Sequence, residues 1–240
     1  MSEKLICKVI VGSQLHGTAT PESDIDYRGI FINDLKLKLS PFKRNQETSW
    51  IEGEVDDTSY ELAHISKMLT TGNATCWEIL FSNKIIETSD VHQEMRENWK
   101  KFFTTDNFIK ASIGYSRNQY AKFGLYDDIG VLGQKRTAKF VIAFLRVMWQ
   151  CEQFLLTGEF KCSLKESDKY DYIMSIKGKS RDEINISEAF ANMEDMYARV
   201  AKAQSLCDKS RLEMKADIDW IEDFIYRSYK KYDKQLTKEV

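Results

Sequence analysis

Apolar and polar positions follow two different rhythms along this chain. Over roughly the first 90 residues short apolar runs alternate with turns. "KVIV" (8–11) closes a run that starts near residue 5, and "IDYRGIFI" (25–32) grows apolar toward its end. Both predict strands, with a short helix opening after Gly12 and a further strand between about 47 and 57. "SPFKRNQE" (40–47) is polar and holds Pro41, so it reads as an exposed connection. Leu62, Ile65, Met68 and Leu69 recur at helical spacing, with Thr58 and Glu61 placed as a capping box and Gly72 or Asn73 as the stop. This predicts a helix over 59–71. Thr75 and Glu78 repeat the box before Trp77, Leu80 and Phe81, predicting a shorter helix, and "KIIET" (84–88) reads as a strand. Strands interleaved with helices make this an α/β region.

From Ser89 the rhythm becomes helical in five segments, among them "QKRTAKFVIAFLRVMWQCEQFLLTG" (134–158) and "KADIDWIEDFIYRSYKKYDKQL" (215–236). The first of these two is apolar round most of its middle, from Phe140 to Trp149, and ends at Gly158, so it is expected to be a central helix. The domains expected are 1–95, α/β, and 96–240, helical. No repeat of fixed period and no low-complexity stretch interrupts them.

Composition narrows the function classes. The chain has 240 residues, 42% of them hydrophobic and 30% charged, as in ordinary folded proteins. A net charge of -2 gives no overall attraction to nucleic acid, so a polyanion would need a local basic patch. No uninterrupted apolar run approaches the length of a membrane span, and the N-terminus lacks a leader pattern; a cytoplasmic location, without membrane partners, is the expectation. Cys7, Cys76, Cys151, Cys162 and Cys207 lie far apart without a CxxC pair, and read as reduced thiols rather than nucleophiles or metal ligands.

The chemistry concentrates in "VIVGSQLHGTATPESDIDYRGIFI" (9–32). Side chains two apart on a strand share a face with Cα atoms about 7 Å apart, so Asp24 and Asp26 would present two carboxylates together. Such a pair attracts a hard cation such as Mg²⁺; it is also what an exposed turn after Pro21 would carry. A calcium-loop reading of "DIDYRG" fails, because Arg28 and Leu35 stand where ligands are required. Gly12 and Ser13, at a strand end opening a helix, offer free backbone N–H groups to an anion such as phosphate. The P-loop pattern does not occur.

"GSQLHGTATPESDIDYRG" resembles the signature GSxxxGxxxxxSDxDxRG of predicted nucleotidyltransferases of the DNA polymerase β superfamily, in a branch found in bacteria and their phages. "YELAHISKMLTTGNATCWEILF" (60–81) and "KFVIAFLRVMWQCEQFLLTGEF" (139–160) are similar to later motifs of that branch, so the resemblance spans roughly residues 5–165. Ala74 stands in place of the branch's proline and Ala143 in place of its helical histidine. The resemblance implies a polymerase-β-like fold (α+β) with a small mixed sheet, followed by an all-helical domain forming the other wall of a cleft. It implies an enzyme that moves a nucleoside monophosphate from an NTP to a hydroxyl of RNA, protein or a small molecule, releasing pyrophosphate. Gly12 and Ser13 would hold phosphates, and Asp24 and Asp26 two Mg²⁺ (or Mn²⁺) ions. A third carboxylate would come from Asp56 or Asp57, of which Asp57 is favoured. Lys135, Lys139 and Arg146 fall within about 40° on a helix and form a basic stripe for triphosphate or RNA, and Arg28 is a further phosphate contact or an ion-pair partner of the aspartates. The runner-up is a non-catalytic nucleotide- or RNA-binding protein that keeps the fold.

Overall fold

The computed structural model describes residues 4–42, 47–52, 55–125, 137–207 and 214–236. The chain forms two compact units, Met1–Thr104 joined by Met214–Val240, and Thr105–Glu213. The division expected at residues 95 and 96 therefore moves to 104, and the last helix joins the first unit. Side-chain chemistry explains its return. Phe102 meets Trp220 and Phe224 edge-on at 5.6 and 5.9 Å between ring centres, and Lys101 pairs with Asp217 at 2.8 Å.

The first unit is built on strands β1 (Lys4–Ile10), β2 (Ile25–Ile32), β3 (Glu47–Glu52), β4 (Val55–Glu61) and β5 (Ile85–Glu87). Their order is β3-β4-β2-β1-β5, with β2 and β4 parallel and the other neighbours antiparallel, so the sheet is small and mixed as expected. Ile6 and Cys7 are adjacent in sequence yet both buried; a register shift between Leu5 and Cys7 locally breaks the alternation of the strand. The single strand expected at 47–57 is a pair, β3 and β4. The polar connection lies in part outside the described residues, at 43–46.

Helices of this unit are α1 (Gly12–His16), α2 (Leu35–Leu39), α3 (Leu62–Thr70), α4 (Ala74–Phe81), α5 (Asp90–Glu97) and α6 (Trp99–Phe102). Two expected caps move. Thr58 lies within β4, and Glu61 caps α3 itself, accepting from the N–H groups of Ala63 and His64 at 3.1 Å. Asn73, not Thr75, caps α4. Leu62, Ile65, Leu69, Trp77, Ile79 and Leu80 contribute to the core with Val9 and Ile30 of the sheet.

The second unit holds α7 (Thr105–Leu125), α8 (Thr137–Thr157), α9 (Tyr170–Ile176), a 3-10 turn (Arg181–Glu183) and α10 (Ile186–Leu206); α11 (Ile218–Leu236) is the helix returned to the first unit. The expected central helix is α8, which packs against α7, α9 and α10. Glu152 on α8 is buried but met by Arg199 of α10 at 2.7 and 2.8 Å. By length and composition alone α8 is long and apolar enough to cross a membrane, but Lys139, Arg146 and Glu152 interrupt its apolar run and 61% of the qualifying stretch is buried inside the protein.

Cys7, Cys76 and Cys151 are free and buried. Burial pushes the thiols of Cys7 and Cys151 up to about 12, the opposite of what a nucleophile requires.

Candidate active site

The end of β1 and the start of β2 are joined through the backbone. Val11 N–H donates to the Asp26 carbonyl at 2.9 Å, which sets the following turn against the β2 aspartate. Gly12 has φ +62, in the left-handed region. A Cβ there would run into the Asp26 carboxylate, with Cγ only 2.9 Å away, so only glycine lets carboxylate and turn lie this close. Beside it the Ser13 hydroxyl oxygen is buried without a hydrogen-bond partner among the described residues, a donor available to a ligand.

The "TPES" segment is a closed turn. Ser23 N–H donates to the Thr20 carbonyl, and Thr20 N–H donates to the Ser23 hydroxyl, both at 2.9 Å. Ser23 thus shapes the approach to the aspartates, a role hinted at only by the turn-forming residues around it. Asp24 is exposed on the residue just before β2, and Asp26 is half-buried inside the strand. Gly29 has its own reason: a Cβ would lie 2.8 Å from the Cys7 carbonyl oxygen of the neighbouring strand.

Strand register separates the two candidates for a third carboxylate. Asp26 lies opposite Asp56 on β4, and Tyr27 lies opposite Asp57. Paired residues in register share a face, so Asp56 belongs to the Asp26 side and Asp57 to the other. The register thus sets Asp56, and not the favoured Asp57, on the Asp26 face. Asp57 is instead ion-paired with Lys8 of β1, whose ammonium also sits 4.7 Å from the centre of the Tyr27 ring.

Arg28 resolves into an ion pair. Its guanidinium donates to both carboxylate oxygens of Asp56, at 3.1 and 2.9 Å, and to the Tyr27 carbonyl at 2.7 Å. Its donors are directed at protein oxygens, which argues against the phosphate-contact alternative. Lys139 is exposed and Arg146 half-buried on α8 in the second unit, where Arg146 donates to Gln150 at 3.3 Å; Lys135 lies outside the described residues.

Among the described residues no three His, Cys, Asp or Glu side chains gather round one point. Two aspartates with hard oxygen donors do suit Mg²⁺, which commonly takes one or two carboxylates and completes its shell with water and substrate phosphate. Asp24 and Asp26 would hold such an ion, and the Asp56 oxygens are already directed at Arg28.

Comparison with known proteins covers this region. The family model for the RNA repair pathway DNA polymerase beta family matches residues 2–170, which include the sheet with both aspartates. An uncharacterized 38.9 kDa protein of Enterobacteria phage T4 is 28% identical over 134 residues, 51% of this chain and 39% of the relative. An uncharacterized protein of Methanocaldococcus jannaschii is 34% identical over 92 residues, 37% of each chain. The chain thus spans under two fifths of the length of these curated relatives.

Proposed function

Because the chain belongs to the RNA repair pathway DNA polymerase beta family, we propose that it transfers a nucleoside monophosphate from an NTP to a hydroxyl at an RNA end. The acceptor oxygen bonds to the α-phosphorus, the bond from that phosphorus to the α,β-bridging oxygen breaks, pyrophosphate leaves, and the acceptor proton passes to solvent. The observation that carries this reading is the seating of the Asp26 carboxylate against Gly12, which puts a cation-seeking group beside an anion-seeking turn. The Gly12 and Ser13 N–H groups and the Ser13 hydroxyl bind phosphate oxygens. Asp24 and Asp26 would hold the divalent ion; Asp56 shares the Asp26 face and would join them as third carboxylate only on leaving Arg28. When bound, the ion supplies Lewis-acid stabilisation of charge on the phosphate oxygens. The choice of RNA as acceptor rests on the family's description.

The arrangement of Asp56 favours a second reading, a nucleotide- or RNA-binding protein without catalysis, since a carboxylate bound at both oxygens by Arg28 is not presented to a metal. One experiment separates the two. The protein is incubated with each α-³²P NTP, Mg²⁺ and an RNA oligomer carrying either a 3′-hydroxyl or a 3′-phosphate. Label is expected on the hydroxyl RNA alone, reduced at least about 100-fold in Asp26→Ala. Nucleotide binding without transfer selects the second reading, and label on protein instead of RNA overturns the acceptor.

A further inference from the structure

Glu78 occupies a position on α4 that its neighbours mark for packing. Cys76, Trp77, Ile79 and Leu80 are buried, and Glu78 itself is only 4% exposed. A carboxylate withdrawn from water to that extent needs a polar partner. It faces His16, the last residue of α1, also buried, with Nε2 3.1 Å from Oε1 of Glu78. The approach is close but off the line of an aligned hydrogen bond, and no other group among the described residues bonds to Nε2. Nε2 thus makes no hydrogen bond among the described residues, and the Glu78 carboxylate stands as the charged group set against it.

α1 is held on the sheet side by its packing on β2, by the buried Leu15 and by the Val11 N–H bond to the Asp26 carbonyl, and the His16–Glu78 pair adds a polar contact to α4. The helix is five residues long, too short to be stable by itself, and its cap residue Val11 provides no side-chain hydrogen bond. His16 and Ser13 are three residues apart and so lie on neighbouring positions of the same turn. At the other end of that turn a Cβ on Gly12 would meet the Asp26 carboxylate, and the Ser13 hydroxyl oxygen is buried without a hydrogen-bond partner among the described residues. An apolar pair could join α1 to α4 equally firmly. An imidazole set against a carboxylate also fixes how far α1 can rotate or slide.

We infer that His16 and Glu78 are positioning residues for phosphate binding: the pair anchors α1 on α4 and holds the Gly12–Ser13 turn in its binding orientation. The inference rests on the nucleotidyl-transfer reading and deepens it. It also joins two sequence segments that no local pattern connects, "GSQLHG" and "CWEILF".

Inorganic tripolyphosphate, which carries the phosphates without a base, is the probe. Its binding with Mg²⁺ is measured by calorimetry for the full chain, Glu78→Gln, His16→Gln and the double variant, and Mn²⁺ binding without polyphosphate is measured by electron paramagnetic resonance. Each single variant is expected to weaken tripolyphosphate at least about tenfold, the double to lose no more than about threefold beyond the weaker single, and Mn²⁺ affinity to stay within about twofold. Glu152→Gln, which removes a buried ion pair in the other unit, is expected to lower the melting temperature and leave tripolyphosphate binding unchanged. If Glu78→Gln does not fold, His16→Gln carries the comparison. Wild type that binds while both single variants bind equally well overturns the positioning role alone. So does a loss of tripolyphosphate binding that Glu152→Gln matches. Wild type that binds no tripolyphosphate overturns the phosphate site, and this role with it.

Discussion

Asp56 and Asp57 are neighbours in sequence and opposites across the sheet. Pairing with β2 places Asp56 beside Asp26, and the pleat turns Asp57 toward Lys8. The two substitutions should therefore separate. Asp56→Asn is expected to remove nucleotidyl transfer by about 100-fold or more, because it alters the face that carries Asp26. Asp57→Asn should leave transfer within about twofold and cost stability on the order of 1 kcal/mol through the half-exposed Lys8 pair. The measurements are labelled-RNA yield and urea midpoint; equal losses of transfer in both variants would remove the distinction. The alternation of the strand is readable from sequence, but its phase is not, since one residue of register exchanges the faces.

At the scale of elements, the cap positions show how a correct local pattern can be claimed by a longer-range pairing. Thr58 and Glu61 have capping-box spacing, yet β4 continues to Glu61 because Phe31 and its neighbours on β2 pair with it throughout. Glu61 then serves several elements at once. It caps α3, pairs with Lys38 of α2 at 2.6 Å, and accepts from the Tyr229 hydroxyl of α11. Burial and the adjacent Glu61 carboxylate raise the Tyr229 pKa. α5 provides a pH test. His92 is fully buried beside Thr88, and burial, with a smaller effect of the Arg96 charge, lowers its pKa from 6.5 to about 4. The unfolded chain takes up this proton first, so the stabilisation present above pH 6.5 is lost as pH falls toward 4. Urea midpoints should drop across that window, by up to about 3 kcal/mol in stability, and His92→Gln should flatten the slope. An unchanged slope would assign the acid sensitivity to other groups.

At the scale of the whole molecule, the chain closes its first unit with its last helix. The family match ends at residue 170, whereas α11 begins at Ile218 and contributes Phe224 and Tyr229 to the interior of the sheet unit. Ending the chain after Cys207 removes those groups and leaves Phe102 and Glu61 without them. Loss of a large buried aromatic side chain costs about 3–5 kcal/mol, a large share of the stability of most domains. The shortened chain should therefore lose near-ultraviolet circular dichroism and the strand signal while α7, α8 and α10 keep most of the helical signal. Retention of the full wild-type spectrum and melting temperature would show that α11 is dispensable.

The sequence by itself determined the strand and helix character of most segments, the absence of a CxxC pair, and the signature that joins Gly12 and Ser13 to Asp24 and Asp26. These properties depend on periodicity and local chemistry, which act over a few residues. Only the tertiary structure decided that Asp56 shares the Asp26 face, that Arg28 is an ion-pair partner, that Glu78 answers His16, and that the last helix belongs with the first unit. Each depends on register or on contacts between distant segments. A one-residue shift, or a helix docking on another surface, would leave the local hydrophobic pattern unchanged.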